Sequence, residues 1–395
     1  MDKRFYNIYN NNEQLESKRF GEVYTPEYIV KSMVDKIPDE VWKDKNIKVL
    51  DFACGCGIFA FFIYKKLVQY FDHDYIISNI LYFNDVQEKN INKIKYIFNN
   101  PKNIYQGDFL EWECDIKFDV IIGNPPFQTH NNKRSNGNSI WHKFVDKLLI
   151  LLKDGGYLSL IHPPGWRKPA TSRSKYTYLY QELTQKRQMI YLEMHPESDG
   201  VKNFGCYIMY DIYLVKNIRQ HCKTVIIDNN GKVEKILLKN IKFIPNKEIC
   251  LIYKLLKLHG NKIDPLYISS CKNIDNLKTN KYKHIFIHSI RKTGPIYKYA
   301  ENEMKYSNIK KIIINPFARN DLNYLIDIHG IYGMTSTVFG LEIKNIDDAT
   351  KITKALRSQK FMAFKKALTF TTSLFEFKAL KYFSVKIWDE FLKDD

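Results

Sequence analysis

The chain has 395 residues, 45% of them hydrophobic and 14% aromatic, enough apolar side chain for a sizeable core and too much for a disordered protein. Two domains are expected, because single cores rarely grow beyond about 250–300 residues. Lys and Arg total 61 against 43 Asp and Glu, giving a net charge of +18, the footprint of a polyanion binder. Nucleic acid is the leading partner. A membrane is disfavoured, since no apolar run is long enough to span a bilayer and no leader follows Met1-Asp2-Lys3-Arg4. The protein is expected inside the cell, cytoplasmic or DNA-associated.

Residues 1–20 are polar and Asn-rich and are read as a flexible lead-in. A helix start follows, with Thr25 as N-cap, Pro26 at the first helical position, and Ile29, Val30, Met33, Val34 and Ile37 on one apolar face. A strand ending near Phe52 runs into a glycine loop, and a helix begins near Ile58. A second strand ends at Asp85 and precedes helical residues 87–99. A third spans Phe118 to Ile122, a helix covers about 139–152, and Tyr157 opens another strand. Strands alternating with helices in this way predict a doubly wound, mainly parallel sheet.

Residues 189–195 and 206–215 are two more strand candidates with only ten residues between them, too few for a crossover helix, so that pair is predicted to be antiparallel. Beyond Lys216 a hairpin around Asn229-Asn230-Gly231, short strands and a helical stretch from Asp347 to Leu368 indicate a second, α+β domain. The expected division is therefore 1–20, 21–216 and 217–395. The seven cysteines show no CxxC pair and no grouping with histidines, which reads as reduced thiols and no metal site.

Gly55-x-Gly57-x-x-Ala60 follows the first strand, where glycines allow close backbone approach to a ligand at a helix N-terminus. Alone this is a weak signal, equally a tight turn or an NAD loop. Asp51 before the loop suits a cofactor with a positively charged amino acid end. Asp85 suits ribose hydroxyls, and Asp108-Phe109 suits an adenine amine and face. S-adenosylmethionine has all three parts.

Asn124-Pro125-Pro126-Phe127 stiffens the end of a buried strand. Its bland reading is a rigid turn. Its chemical reading is a clamp on an adenine amine, a poor nucleophile because its lone pair is delocalised into the ring. The Asn124 side-chain oxygen and the Pro125 carbonyl would accept its two hydrogens and aim the lone pair at a methyl donor, with Phe127 stacked on the base.

Asp51-Phe52-Ala53-Cys54-Gly55-Cys56-Gly57 resembles the cofactor motif of adenine-N6 DNA methyltransferases, usually Asp/Asn-Pro-Ala-Cys-Gly-Ser-Gly, and Asn124-Pro125-Pro126-Phe127 matches their catalytic motif. Gly21-Glu22-Val23-Tyr24-Thr25-Pro26 resembles the tenth motif of the gamma class, and the three occur in the gamma order. Phe52 and Cys56 depart from the usual Pro and Ser. The resemblance implies a Rossmann-like methyltransferase sheet, mainly parallel with an antiparallel terminal strand, and a C-terminal α+β target-recognition domain. It implies S-adenosylmethionine as cofactor, held by Tyr24, Thr25, Pro26, Asp51, Ala53, Gly55, Gly57, Asp85, Val86, Asp108, Phe109 and Asn124. It implies double-stranded DNA as substrate, in a restriction–modification setting, with base flipping between Phe127 and Phe204. Lys133, Arg134, Arg167 and Lys168 are read as DNA-contacting, against the alternative of solvated loop tips.

Other readings of the same motifs remain. The Asn-Pro-Pro-aromatic turn also serves glutamine and ribosomal RNA methyltransferases, usually with Tyr last and without the Tyr-Thr-Pro start, while cytosine-N4 enzymes favour Ser first. An RNA adenine methyltransferase and a catalytically silent DNA-binding module are the alternatives. A tenth motif near residue 20 leaves no room for an N-terminal nuclease, so a cognate restriction endonuclease, if one exists, is expected to be a separate polypeptide. His130, His142 and His162 are read as loop or helix-surface residues, and Trp141 and Phe144 as core.

Overall fold

The computed structural model describes residues 1–13, 24–128, 139–169, 176–271, 274–276, 279, 283–303, 305–317, 322–370 and 374–393. The chain divides into two units. One comprises Met1–Arg167 and Ser174–Ile241, the other Lys168–Arg173 and Lys242–Asp395.

The first unit is built on a nine-stranded sheet. Its strands are β1 (Val49–Asp51), β2 (Leu81–Asp85), β3 (Asn103–Gln106), β4 (Phe118–Gly123), β5 (Leu152–His162), β6 (Gln188–His195), β7 (Tyr210–Lys216), β8 (Thr224–Ile227) and β9 (Val233–Ile236), in the order β3-β2-β1-β4-β5-β7-β6-β8-β9. The first five pair in parallel and β7 runs antiparallel to both β5 and β6. Helices cover the faces, so the central strands are apolar throughout: Val120, Ile121 and Ile122 are all fully buried. The strand order reverses between β1 and β4, and the carboxyl ends of those strands form the crevice where ligands bind in open α/β sheets.

Four expectations change. The lead-in is a helix, Asp2–Glu13, because Phe5 and Tyr9 lie one turn apart on its inner face. Phe5 is fully buried and stacks on Phe61 with ring centroids 3.8 Å apart. The next helix is Glu27–Asp35, so Pro26 is its N-cap rather than its first residue. Between β6 and β7 the chain fits a short helix, Glu197–Phe204, although the pair is antiparallel as expected. The hairpin β8–β9 continues the first sheet, β8 pairing in parallel with β6 from Tyr191↔Val225 to Glu193↔Ile227, which moves the boundary from 217 to 242.

The second unit holds a four-stranded sheet and a three-stranded one. The strands are β10 (Ile274–Asp275), β11 (His284–Arg291), β12 (Gly294–Ala300), β13 (Lys311–Ile314), β14 (Tyr324–Asp327), β15 (Gly333–Met334) and β16 (Phe339–Glu342), ordered β10-β12-β11-β15 and β14-β13-β16. The long helical stretch is two helices, Ile346–Leu356 and Gln359–Ala367. The second starts afresh because the Ser358 hydroxyl accepts the Phe361 N–H at 3.0 Å. Ile312, Ile314, Phe361 and Phe364 anchor this unit's core.

Candidate active site

The glycine loop leaves β1 at Asp51 and enters the helix Ile58–Leu67 at Gly57. Gly57 has φ +82° and is the N-cap. A Cβ there would lie 2.7 Å from the Ile94 side chain, so both conformation and space require glycine. Cys54 N–H donates to the Asn84 carbonyl at 3.0 Å, and Gly55 N–H to Asp85 Oδ2 at 2.9 Å. Asp85 Oδ1 accepts from Gln87 N–H at 2.8 Å and Asn90 Nδ2 at 3.2 Å. In the protein as folded, Asp85 holds the glycine loop and the following turn. Val86 beside it is 65% exposed, an apolar surface open to a ligand.

Asp51 is buried. Its Oδ2 accepts the Ala60 N–H at 3.3 Å, and its Oδ1 has no hydrogen-bond partner among the described residues. Burial pushes its pKa up to about 8, the Ala60 contact opposes this, and the neighbouring Asp85 adds a further push upward. A cationic group at Oδ1 would satisfy the orphaned oxygen and the charge together. Cys54 and Cys56 are buried, and burial raises both thiols, Cys56 to about 12, which leaves them uncharged wall residues.

Asn124 leaves β4 at the same sheet edge, since Asp51 on β1 pairs with Ile122 on β4. Its Nδ2 donates to Thr25 Oγ1 at 3.2 Å, and its Oδ1 is buried with no partner among the described residues. Pro125 is buried and Phe127 partly exposed, with the Phe127 carbonyl held by Ile140 N–H at 3.2 Å. A Cβ on Gly123 would lie 2.8 Å from the Phe52 ring. Phe52, the departure from the usual Pro, is thus a packing residue: its ring lies 5.5 Å from Phe109 and 6.1 Å from Phe144. Phe109 stacks on Phe144 at 5.5 Å and is itself buried. Asp108 is exposed and caps its own turn, accepting the Leu110 N–H at 2.8 Å.

The sheet therefore brings Asp51, Asp85, Asp108 and Asn124 to one edge. The helix Glu197–Phe204 lies at that edge too, because β7 starts beside the end of β5 (His162↔Asp211). Phe204 is partly buried, its ring 4.9 Å from Tyr210 in an edge contact, whereas Tyr207 in the same turn is 81% exposed.

Arg167 is corrected. It is fully buried and paired through Nε with Asp211 Oδ2 at 2.7 Å and through Nη2 with Asp211 Oδ1 at 3.0 Å, so it cannot reach a phosphate. Lys168 is partly buried, its Nζ 5.9 Å from the Phe370 ring centroid. Lys133, Arg134 and His130 lie outside the described residues, as do Gly21, Glu22 and Val23. His162 is a core residue, not a surface one. It stacks on Trp141 at 4.3 Å, its Nε2 lies 2.9 Å from the Tyr213 hydroxyl, and burial pushes its pKa down to about 3. Sequence reasoning missed Asn84, whose side chain donates to the Tyr105 and Gly107 carbonyls at 3.2 and 3.1 Å and so ties β2 to the Asp108 turn. Its position before Asp85 was the available signal.

Residues 35–195, which contain the glycine loop and the Asn-Pro-Pro-Phe turn, match the model of the Eco57I restriction-modification methylase family. An uncharacterized adenine-specific methylase of Mycoplasma pneumoniae (strain ATCC 29342 / M129 / Subtype 1) is 36% identical over an 87-residue alignment that covers 18% of this chain and 20% of the relative. A nuclease-deletion mutant of the Type ISP restriction-modification enzyme LlaGI, solved with a DNA substrate mimic, matches at TM-score 0.56 and 12% identity, over 95% of this chain and 54% of that one. The DrdV–DNA complex matches at TM-score 0.51 and 13% identity, over 89% and 53%. The fold is shared with the LlaGI and DrdV enzymes, of each of which the chain spans little more than half, whereas the alignment with the Mycoplasma relative covers a fifth of that protein.

Proposed function

We propose that this chain is a site-specific DNA methyltransferase that moves a methyl group from S-adenosylmethionine to the N6 amine of an adenine turned out of double-stranded DNA. The observation that carries the reading is a pair of buried acceptor oxygens, Asp51 Oδ1 and Asn124 Oδ1, orphaned at the carboxyl ends of adjacent central strands. Buried polar atoms without partners are rare and costly, so two at one crevice call for a ligand with donors at both places.

The residues fit S-adenosylmethionine. Asp51 would hold the ammonium group of its amino acid end, the loop at Gly55 and Gly57 would admit it closely, and Val86 would cover its base. When bound, it supplies an electrophilic methyl group. Asn124 Oδ1 and the Pro125 carbonyl would accept the two hydrogens of the target amine, with Pro125 and Pro126 keeping that carbonyl fixed. Phe127 would stack on one face of the flipped base and Phe204 on the other. The base must leave the duplex because its amine is otherwise out of reach of a buried donor.

DNA as substrate is supported by charge. Residues 242–395 hold 27 Lys and Arg against 15 Asp and Glu, a net +12 of the chain's +18. That unit is the proposed target-recognition domain, and its affinity for DNA should fall steeply with salt. The test is expression in a host free of DNA methylation, with modified bases mapped by single-molecule sequencing. N6-methyladenine in one sequence context is expected. Unmodified DNA in cells that contain the soluble, cofactor-binding protein would refute the reading.

A further inference from the structure

We infer that Thr25 is a positioning residue for Asn124: its hydroxyl fixes which end of the Asn124 amide faces the reacting amine. The inference deepens the proposed methyl transfer and rests on it. An asparagine amide has two ends of similar shape and opposite hydrogen-bonding sense. With Oδ1 towards the site, Asn124 offers an acceptor to the amine of adenine. Turned by half a rotation, it would offer two N–H donors to a group that must itself donate, and the clamp would fail.

Among the described residues, no group within the Asn-Pro-Pro-Phe turn makes this choice. Asn124 Nδ2 is instead engaged from 99 residues away, by Thr25 Oγ1 at 3.2 Å, and this leaves Oδ1 buried and, among the described residues, unpartnered. Thr25 is well placed to impose an orientation. It is 3% exposed and stands directly before a helix whose first turn is fastened by Ile29 and Val30 N–H donating to the Pro26 carbonyl at 3.0 and 3.2 Å. That helix is anchored through buried Ile29, Val30, Met33 and Val34 in the same core as Phe61 and Ile63. The acceptor is therefore held by packing, as positioning within a site requires.

The experiment uses the full chain with asparagine labelled in 15N, the Asn124 side-chain signal being assigned by its loss in Asn124→Ala. In wild type one Asn124 amide proton should be protected from exchange. Thr25→Val should shift that signal and speed its exchange, and Thr25→Ser should restore it. On unmethylated genomic DNA at saturating S-adenosylmethionine, Thr25→Val should slow single-turnover transfer about tenfold or more, since an interaction used in the transition state lowers the rate and not only ground-state binding. Thr25→Ser should recover most of the rate. An Asn124 signal unchanged by Thr25→Val in an active enzyme would overturn the role of Thr25 alone, as would a Thr25→Val defect confined to cofactor affinity. A wild type that binds cofactor and DNA but transfers nothing would overturn the methyltransferase reading and this role with it.

Discussion

Arg167 and Asp211 form a fully enclosed, two-pronged ion pair: both side chains have no solvent exposure, and Trp166 Nε1 adds a third bond to Asp211 at 2.9 Å. Burial alone would raise the Asp211 carboxyl, and Arg167 opposes that. Removing one partner leaves an uncompensated buried charge. Arg167→Ala should therefore lower stability by about 3–5 kcal/mol, while an apolar replacement of both partners should recover much of the loss. Urea unfolding checks this. Because Arg167 touches no phosphate, the salt dependence of DNA binding should be unaltered in any variant that still folds, and a reduced slope would restore it as a DNA contact.

Asn124→Ala should keep S-adenosylmethionine affinity and lose methyl transfer by about 100-fold or more, the scale found when one preorganised hydrogen-bonding group is removed from a transition state. Calorimetry with cofactor and single-turnover transfer on DNA give the two numbers separately. Near-normal turnover would sink the amine clamp.

The C-terminal end of the helix Glu197–Phe204 and the bend after it offer two aromatic rings for a flipped base, Phe204 and Tyr207. Stacking is worth about 1–3 kcal/mol per base, so loss of the ring in use should weaken target capture by that amount without abolishing chemistry. Phe204→Ala is expected to do so, to diminish the fluorescence change of 2-aminopurine at the target position, and to be less well tolerated than Phe204→Trp. If Tyr207→Ala has these effects and Phe204→Ala only lowers stability, the exposed ring is the one on the base and Phe204 is packing for Tyr210.

Chain removal should respect the sheet. Ending the chain after Lys216 deletes β8 and β9, strips the edge of β6 and removes the Thr224 hydroxyl bond to the Met189 carbonyl at 2.7 Å. An uncovered strand edge invites aggregation. Ending it after Ile241 should leave a protein that still binds S-adenosylmethionine and has lost site-specific DNA binding. Equal solubility of the two truncations would contradict the boundary at 242.

Asp51 provides a pH signature. Its pKa in the cofactor-free protein is about 8, well above the range of an unfolded chain. A raised folded pKa means that its stabilising contribution is complete below about pH 4 and lost as pH rises through about 8. Asp51→Asn should remove that part of the pH dependence, so the stability difference between wild type and variant changes steadily between about pH 5 and 8. Binding a cationic cofactor end at pH 7 should expel the Asp51 proton, seen as a buffer-dependent heat in calorimetry that Asp51→Asn abolishes. A wild-type heat independent of buffer would place the cation elsewhere.

Local chemistry made much of this protein legible from its sequence. Alternation of strand and helix, glycines at Gly55 and Gly57, and prolines after Asn124 each act through a few neighbouring residues, so the mainly parallel sheet, its antiparallel turn-back and the crevice motifs could be read directly. What depended on distant partners could not. A polar lead-in became a helix because Phe5 and Tyr9 found Phe61 and its neighbours. Arg167 resembled a phosphate contact until Asp211, 44 positions away, enclosed it. The hairpin β8–β9 joined the first sheet because β6 had an open edge. Thr25 and Asn124 meet only when the helix Glu27–Asp35 packs into the first unit's core. Burial and pairing are properties of the packed molecule, and they decided which charged groups face a ligand and which ones the fold consumes.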